Sequence, residues 1–262
     1  MISDQWSVIR KPAKMYIVVF ANLAKALSLG RHKRSAVHSR FITVLCLLLA
    51  TTPLTLVAQN PSALRSVVVL DAAHGGDDSG AGLGSQPEKA YTLALSVRLR
   101  SLLAARGFQV VTTRESDTTV EADRRAEIAN HADALACLSL HATEAGSGVH
   151  IFVSSLAPAR DARFTAWKTA QAAWITSSLT LAGVLNSALS HSSIPVTLGR
   201  VGMPTLDSMA CPAVAVEIAP QRTADAPGGE SLDDPAVLAH IAEALAAALV
   251  EWRTTDRGAH QP

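Results

Sequence analysis

The chain has 262 residues, 48% hydrophobic and 17% charged, which is enough apolar material for one large core and excludes a disordered composition. Its net charge of +1 and aromatic content of 4% exclude the basic or base-stacking surface that nucleic acid requires. Three cysteines occur with no CxxC pair, which excludes a zinc ribbon and a thioredoxin-type redox site.

In chain order, the first feature is a basic stretch, RHKRSAVHSR at 31–40, followed by the uncharged run FITVLCLLLATTPLTLVA at 41–58. A basic flank, an apolar run and the small residue Ala58 together make a signal-peptide pattern, with cleavage expected near Ala58. An uncleaved membrane anchor is the competing reading. The run is at the short limit for a span and Pro53 interrupts it, which favours cleavage. Residues 1–60 are therefore an N-terminal extension. Its first 30 residues are too long for an n-region, so the translation start is expected near Val37. An exported protein of the periplasm or cell envelope follows, touching membrane only through this segment if it is uncleaved.

After Pro61 the pattern alternates between strands and helices. Apolar, β-branched runs predict strands at 67–71, 108–113, 134–140, 148–154 and 213–218. Helices are expected at 87–105, 120–132, 165–189 and 234–252. In the first, Leu95, Leu99, Leu102 and Leu103 make one apolar face, and Gly107 supplies the C-terminal cap. Alternation of this kind predicts a single-domain α/β fold over 61–255: a twisted, mostly parallel sheet with helices on both faces, followed by a tail at 256–262. Cys137 in a strand and Cys211 before Pro212 are read as inert core thiols rather than as a disulfide. Trp167 and Trp174, seven residues apart, are read as packing rather than as a platform for a sugar ring.

The most informative stretch is VVVLDAAHGGDDSG at 67–80. It puts His74 just beyond the C-terminal end of a buried strand, where open α/β sheets bind ligands. Glu88 follows fourteen residues later. Ser85-Gln86-Pro87-Glu88 fits a capping box, with Ser85 as N-cap. The short glycine-rich loop before it can also fold Glu88 back toward His74. His141 ends a second apolar strand in ALACLSLHATEAG and is either a hydrogen-bonded structural residue or a partner of His74. Two histidines and one carboxylate on a shared edge would form a His₂Glu zinc site with an open position for water, the mark of a catalytic centre. Glu217 lies within PAVAVEIAP, where an unpaired carboxylate is costly. It is read either as an ion-pair partner of an arginine such as Arg200 or as a proton-transfer group. His131 is explained by its helix C-terminus, and His150 is read as facing solvent. No GxSxG, Walker loop or GxGxxG occurs.

Five segments together resemble the zinc-dependent N-acetylmuramoyl-L-alanine amidases of the Amidase_3 type. They are LDAAHGGDDSGAGLGSQPEK (70–89), TTRESD (112–117), RRAEIAN (124–130), SLHAT (139–143) and MPTLDSMACPAVAVEI (203–218). The resemblance implies one Zn²⁺ held by His74, Glu88 and His141, with Glu217 as catalytic acid and base. It implies hydrolysis of the amide between N-acetylmuramic acid and L-alanine, with peptidoglycan as substrate and an envelope activator protein as a possible partner. Arg125 and Asn130 match family positions read as structural supports, and Arg200 is a candidate substrate contact. The chain departs from the family pattern at Ala72-Ala73, Thr143 and Ala219-Pro220-Gln221. These departures leave two alternatives: another zinc amidohydrolase or peptidase, or a catalytically silent wall-binding module.

Overall fold

The structure, a computed structural model, describes residues 66–161, 165–222 and 229–259. The expected signal segment and the start near Val37 lie outside these residues. The fold is α/β, with a six-stranded sheet whose strands lie in the spatial order 109–112, 67–72, 136–142, 213–219, 148–154 and 196–201. The strands are β1 (Val67–Ala72), β4 (Gln109–Thr112), β5 (Ala136–Ala142), β6 (Gly148–Ser154), β7 (Val196–Val201) and β8 (Ala213–Ala219). A two-stranded hairpin, β2 (Gly82–Leu83) and β3 (Gln86–Pro87), stands apart from the sheet. Strands β4, β1, β5 and β8 are mutually parallel, whereas β6 runs antiparallel to β8 and parallel to β7. Consequently the start of β6 lies beside the end of β8.

Every residue of β1 is buried, as expected for a strand covered on both faces. One face carries Val68, Leu70, Leu138, Leu140, Val214, Val216 and Ile151. It packs against three long helices, α1 (Glu88–Ala105), α3 (Ile175–His191) and α5 (Pro235–Ala259). The other face is covered by α2 (Ala122–His131) and the short α4 (Pro204–Asp207), through Ala129 and Leu206. Helix α5 is long and apolar enough to cross a membrane, but half of that window is buried in the protein, as a core helix would be. Helix α1 ends as expected at Gly107 (φ 79°): Gly107 N–H donates to Ala104 O and Phe108 N–H to Leu103 O.

Three sequence expectations are corrected here. The helix expected at 165–189 is two elements, a 3-10 helix (Trp167–Ala173) and α3, bent by 65° at their junction. Just before the junction, Gln171 is fully buried. Its amide donates to the carbonyls of Met209 and Cys211, and Ser178 Oγ–H donates to its Oε1. Trp167 and Trp174 are therefore not core packing; they are 50% and 36% exposed. The Lys168 ammonium lies 4.5 Å from the Trp167 ring centre. Finally, Cys137 and Cys211 form a disulfide, with Cα atoms 6.3 Å apart. The register explains it. Cys137 pairs with Ala213, so Cys211, two residues earlier, projects to the same face of the sheet.

This disulfide closes a long loop between β5 and the lead-in to β8. Replacing both cysteines by alanine is expected to lower unfolding stability by about 4 kcal/mol, from the loop-entropy relation. Urea denaturation of oxidised, reduced and substituted protein measures it, and reduction of the wild type should reproduce the effect of the double substitution.

Candidate metal centre

Strand β1 delivers the first ligand candidate. Its pairing to β5 extends to Ala73, whose N–H donates to Leu140 O, and the chain then turns sharply. His74 adopts φ 61°, followed by Gly75 at 124° and Gly76 at 59°. A non-glycine residue in the left-handed region costs on the order of 1–3 kcal/mol and persists only when its surroundings hold it there. Two buried arginines do so. Arg125 donates to the carbonyls of His74 (2.6 Å) and Ala72 (2.6 Å) and to Asp71 Oδ1 (2.8 Å). Arg114 donates to the carbonyls of Ala72, Ala73 and Lys89.

The hairpin β2–β3 folds the chain back so that Glu88 opens α1 beside this loop. The expected capping box is not formed. The helix N-cap is Pro87, with no side-chain cap, and Ser85 Oγ–H donates instead to Asp233 Oδ1. The Glu88 carboxylate, on a residue 6% exposed, is spent on the site. Its Oε2 lies 3.1 Å from His74 Nε2 and accepts from Ala81 N–H; its Oε1 lies 3.1 Å from His141 Nδ1 and accepts from Ala142 N–H. Space here is tight. A Cβ at Gly80 would sit 2.7 Å from both Glu88 Oε2 and His74 Cδ2, so position 80 must lack a side chain.

His74, Glu88 and His141 thus converge, with ligand atoms all within 4.8 Å of one another. Among the described residues this is the one such group of histidine, cysteine and carboxylate side chains. Each imidazole has a partner on its other nitrogen. His74 Nδ1 lies 2.8 Å from Asp78 Oδ2, which leaves the Nε2 lone pair for the centre. His141 Nε2 lies 3.4 Å from Ser139 Oγ, whose hydroxyl donates to the buried Asp71. Such outer hydrogen bonds fix ring orientation and raise ligand basicity in metal sites. Burial opposes ionisation of Glu88, but the bonds from His141, His74, Ala81 and Ala142 outweigh it and hold the carboxyl well below the usual carboxylate range. The hydrogen bond to Glu88 raises the His74 pKa; burial opposes this and Asp78 adds to it. Two imidazoles and one ionised carboxylate, with their ligand atoms this close together, make a donor set of the kind that holds a divalent metal ion.

Glu217 enters from the neighbouring strand. It pairs in register with His141 on one side and with His150 on the other, so the three side chains form a row across β5, β8 and β6. Its ion-pair partner is His150, whose Nδ1 is 3.0 Å from Glu217 Oε2, and not Arg200. Arg200 pairs with Val153, in the register set that faces the three long helices. Its guanidinium donates to the carbonyls of Ser154 and Leu156, so it is not brought to this row. The expectation that His150 faces solvent is corrected, since its side chain is 12% exposed. Sequence reading missed Asp78 as well, although its spacing from His74 in HGGDD was available.

Asn130 and Arg125 act as the supports the sequence suggested; Asn130 holds the carbonyl of Ser208 and the N–H of Ala210. Of the departures from the family pattern, Thr143 Oγ1 closes a turn by accepting from Ala145 N–H, and Gln221 donates to Ser193 O. Arg125→Met removes the cation paired with Asp71 in a buried environment. Loss of about 3–5 kcal/mol is expected, measured by thermal and denaturant unfolding of the two proteins.

Residues 68–251 match the Amidase_3 family, described as N-acetylmuramoyl-L-alanine amidase. The chain is 40% identical to AmiA of Escherichia coli K12 over 79 residues, which is 30% of this chain and 27% of that relative. In architecture it is similar to the amidase AmiC2 of Nostoc punctiforme (TM-score 0.56, 26% identity, 72% of this chain and 97% of that one). It is likewise similar in fold to the CwlD amidase of Clostridioides difficile, solved in complex with the GerS lipoprotein (TM-score 0.57, 21% identity, 73% of this chain and 100% of that one). With the family match covering most of its length, the chain belongs to the Amidase_3 family of N-acetylmuramoyl-L-alanine amidases.

Proposed function

We propose that this protein hydrolyses the amide between the lactyl group of N-acetylmuramic acid and the L-alanine of the peptidoglycan stem peptide. The observation that carries the proposal is the meeting of His74, Glu88 and His141 at one edge of the sheet, with Glu217 beside His141 in register. His74 Nε2, Glu88 and His141 Nδ1 would hold one zinc ion, which when bound supplies Lewis acidity toward the carbonyl and lowers the pKa of water. Glu217 takes the proton of the attacking water and returns it to the departing alanine nitrogen. Asp78 and the Ser139–Asp71 pair keep the two imidazoles oriented throughout.

The proposal extends to place. An exported protein of the periplasm or cell envelope accords with the basic and apolar N-terminal segments and with the Cys137–Cys211 disulfide, a bond that persists in oxidising compartments. The GerS complex of the C. difficile protein motivates the further reading that an envelope partner regulates this chain.

Purified protein is expected to release peptides with a free N-terminal L-alanine from peptidoglycan, leaving intact sugar, as read by mass spectrometry. Chelation should abolish release and zinc should restore it. Release of any other product would overturn the bond assignment, and binding to wall material without release would indicate a silent module. Alanine at His74, Glu88 or His141 should each abolish retention of zinc, measured by elemental analysis. Glu217→Gln should keep zinc and lose turnover; wild-type turnover by that variant would remove Glu217 from the chemistry.

A further inference from the structure

We propose that His150 is a positioning residue for Glu217, an inference that rests on the role given to Glu217 above. The antiparallel turn of β6 brings the start of that strand beside the end of β8, and there His150 is the direct cross-strand partner of Glu217. An ionised carboxylate can only accept, so the 3.0 Å contact requires Nδ1 to carry the proton and donate it to Glu217 Oε2. The imidazole is the better buried of the two, with side-chain exposures of 12% for His150 and 30% for Glu217. The fixed member is therefore the ring, and the carboxylate is what it holds.

The surroundings are shaped to keep the ring in place. Gly146 has φ 78°, and a Cβ there would overlap Nε2 and Cε1 of His150, so the loop after β5 must carry glycine where it passes the ring. The Phe152 ring meets the imidazole edge-on, at 6.4 Å between centres and 78° between planes. Phe152 is seated in turn against Gly199, where a Cβ would approach its ring to 2.8 Å. A glutamate has a broad, two-fold terminal torsion and would otherwise sample many orientations. With Oε2 tied to His150, the carboxylate plane is set and Oε1 is left for the water and the leaving nitrogen. Placement on this scale matters, because an error of about 1 Å at a reacting group can cost about 10²-fold in rate.

Two substitutions and one spectrum test this. His150→Phe keeps a ring but removes the donor; His150→Asn keeps an N–H close to the place of Nδ1. Both should retain zinc at the wild-type level. His150→Phe is expected to lower kcat on a muramyl-peptide substrate by about 10²-fold with KM unchanged, and His150→Asn to restore most of that loss. In the metal-free wild type, imidazole ¹⁵N spectra should show His150 protonated at Nδ1, with resonances that move in Glu217→Gln. Wild-type kcat in His150→Phe, equal loss in both variants, or an Nε2–H tautomer in the unmodified protein would each overturn the proposal. Full turnover by Glu217→Gln would instead sink the role of Glu217, while the nitrogen spectrum would still report whether the pair exists.

Discussion

One buried ion pair, Asp71 with Arg125, holds this architecture in working order. Both groups are nearly inaccessible, with side-chain exposures of 1% and 7%. Replacing both partners together by apolar groups would change stability little, because desolvation consumes much of the Coulombic gain; removing one alone strands the other's charge. What it supplies is geometry. Asp71 accepts from Thr113 beyond β4, Arg125 on α2 and Ser139 on β5, so one carboxylate ties together three elements around the end of β1. Through Arg125 the pair reaches the carbonyl of His74, and through Ser139 it reaches the ring of His141. Both imidazoles are thus aimed from a single anchor.

That dependence explains what the sequence revealed and what it hid. The buried strands and the positions of His74 and His141 were legible because continuous apolar runs ending in a histidine and glycines have few other readings. The capping reading of Glu88 failed for a tertiary reason. The pattern at 85–88 is locally satisfied by a capping box, but Ser85 is taken by Asp233, a residue distant in the chain. Strand β7 went unnoticed because Thr197, Leu198 and Arg200 are exposed on an edge, and Gly199 interrupts any apolar pattern.

The disulfide and the His150–Glu217 pair were hidden by one missing quantity, strand register. Neither the spacing of Cys137 and Cys211 nor that of His150 and Glu217 says which residues lie side by side. Only the order β5-β8-β6 and the reversed direction of β6 do so. A histidine within an alternating strand has no visible partner until its neighbour is known. Chemistry written along one strand is easier to read than chemistry shared between two.

Arg200, read from the sequence as a candidate substrate contact, stands on the last strand of the sheet. Among the described residues, strand β7 closes one end of the sheet, with further strands on one flank only, and Leu198 there is 53% exposed. A bare flank of that kind is a rail on which a second chain could add its own strand. Arg200 sets a cation on the rail and folds back onto the carbonyls of Ser154 and Leu156. The consequence is colloidal: a charged side chain on such a flank disfavours pairing with a second copy.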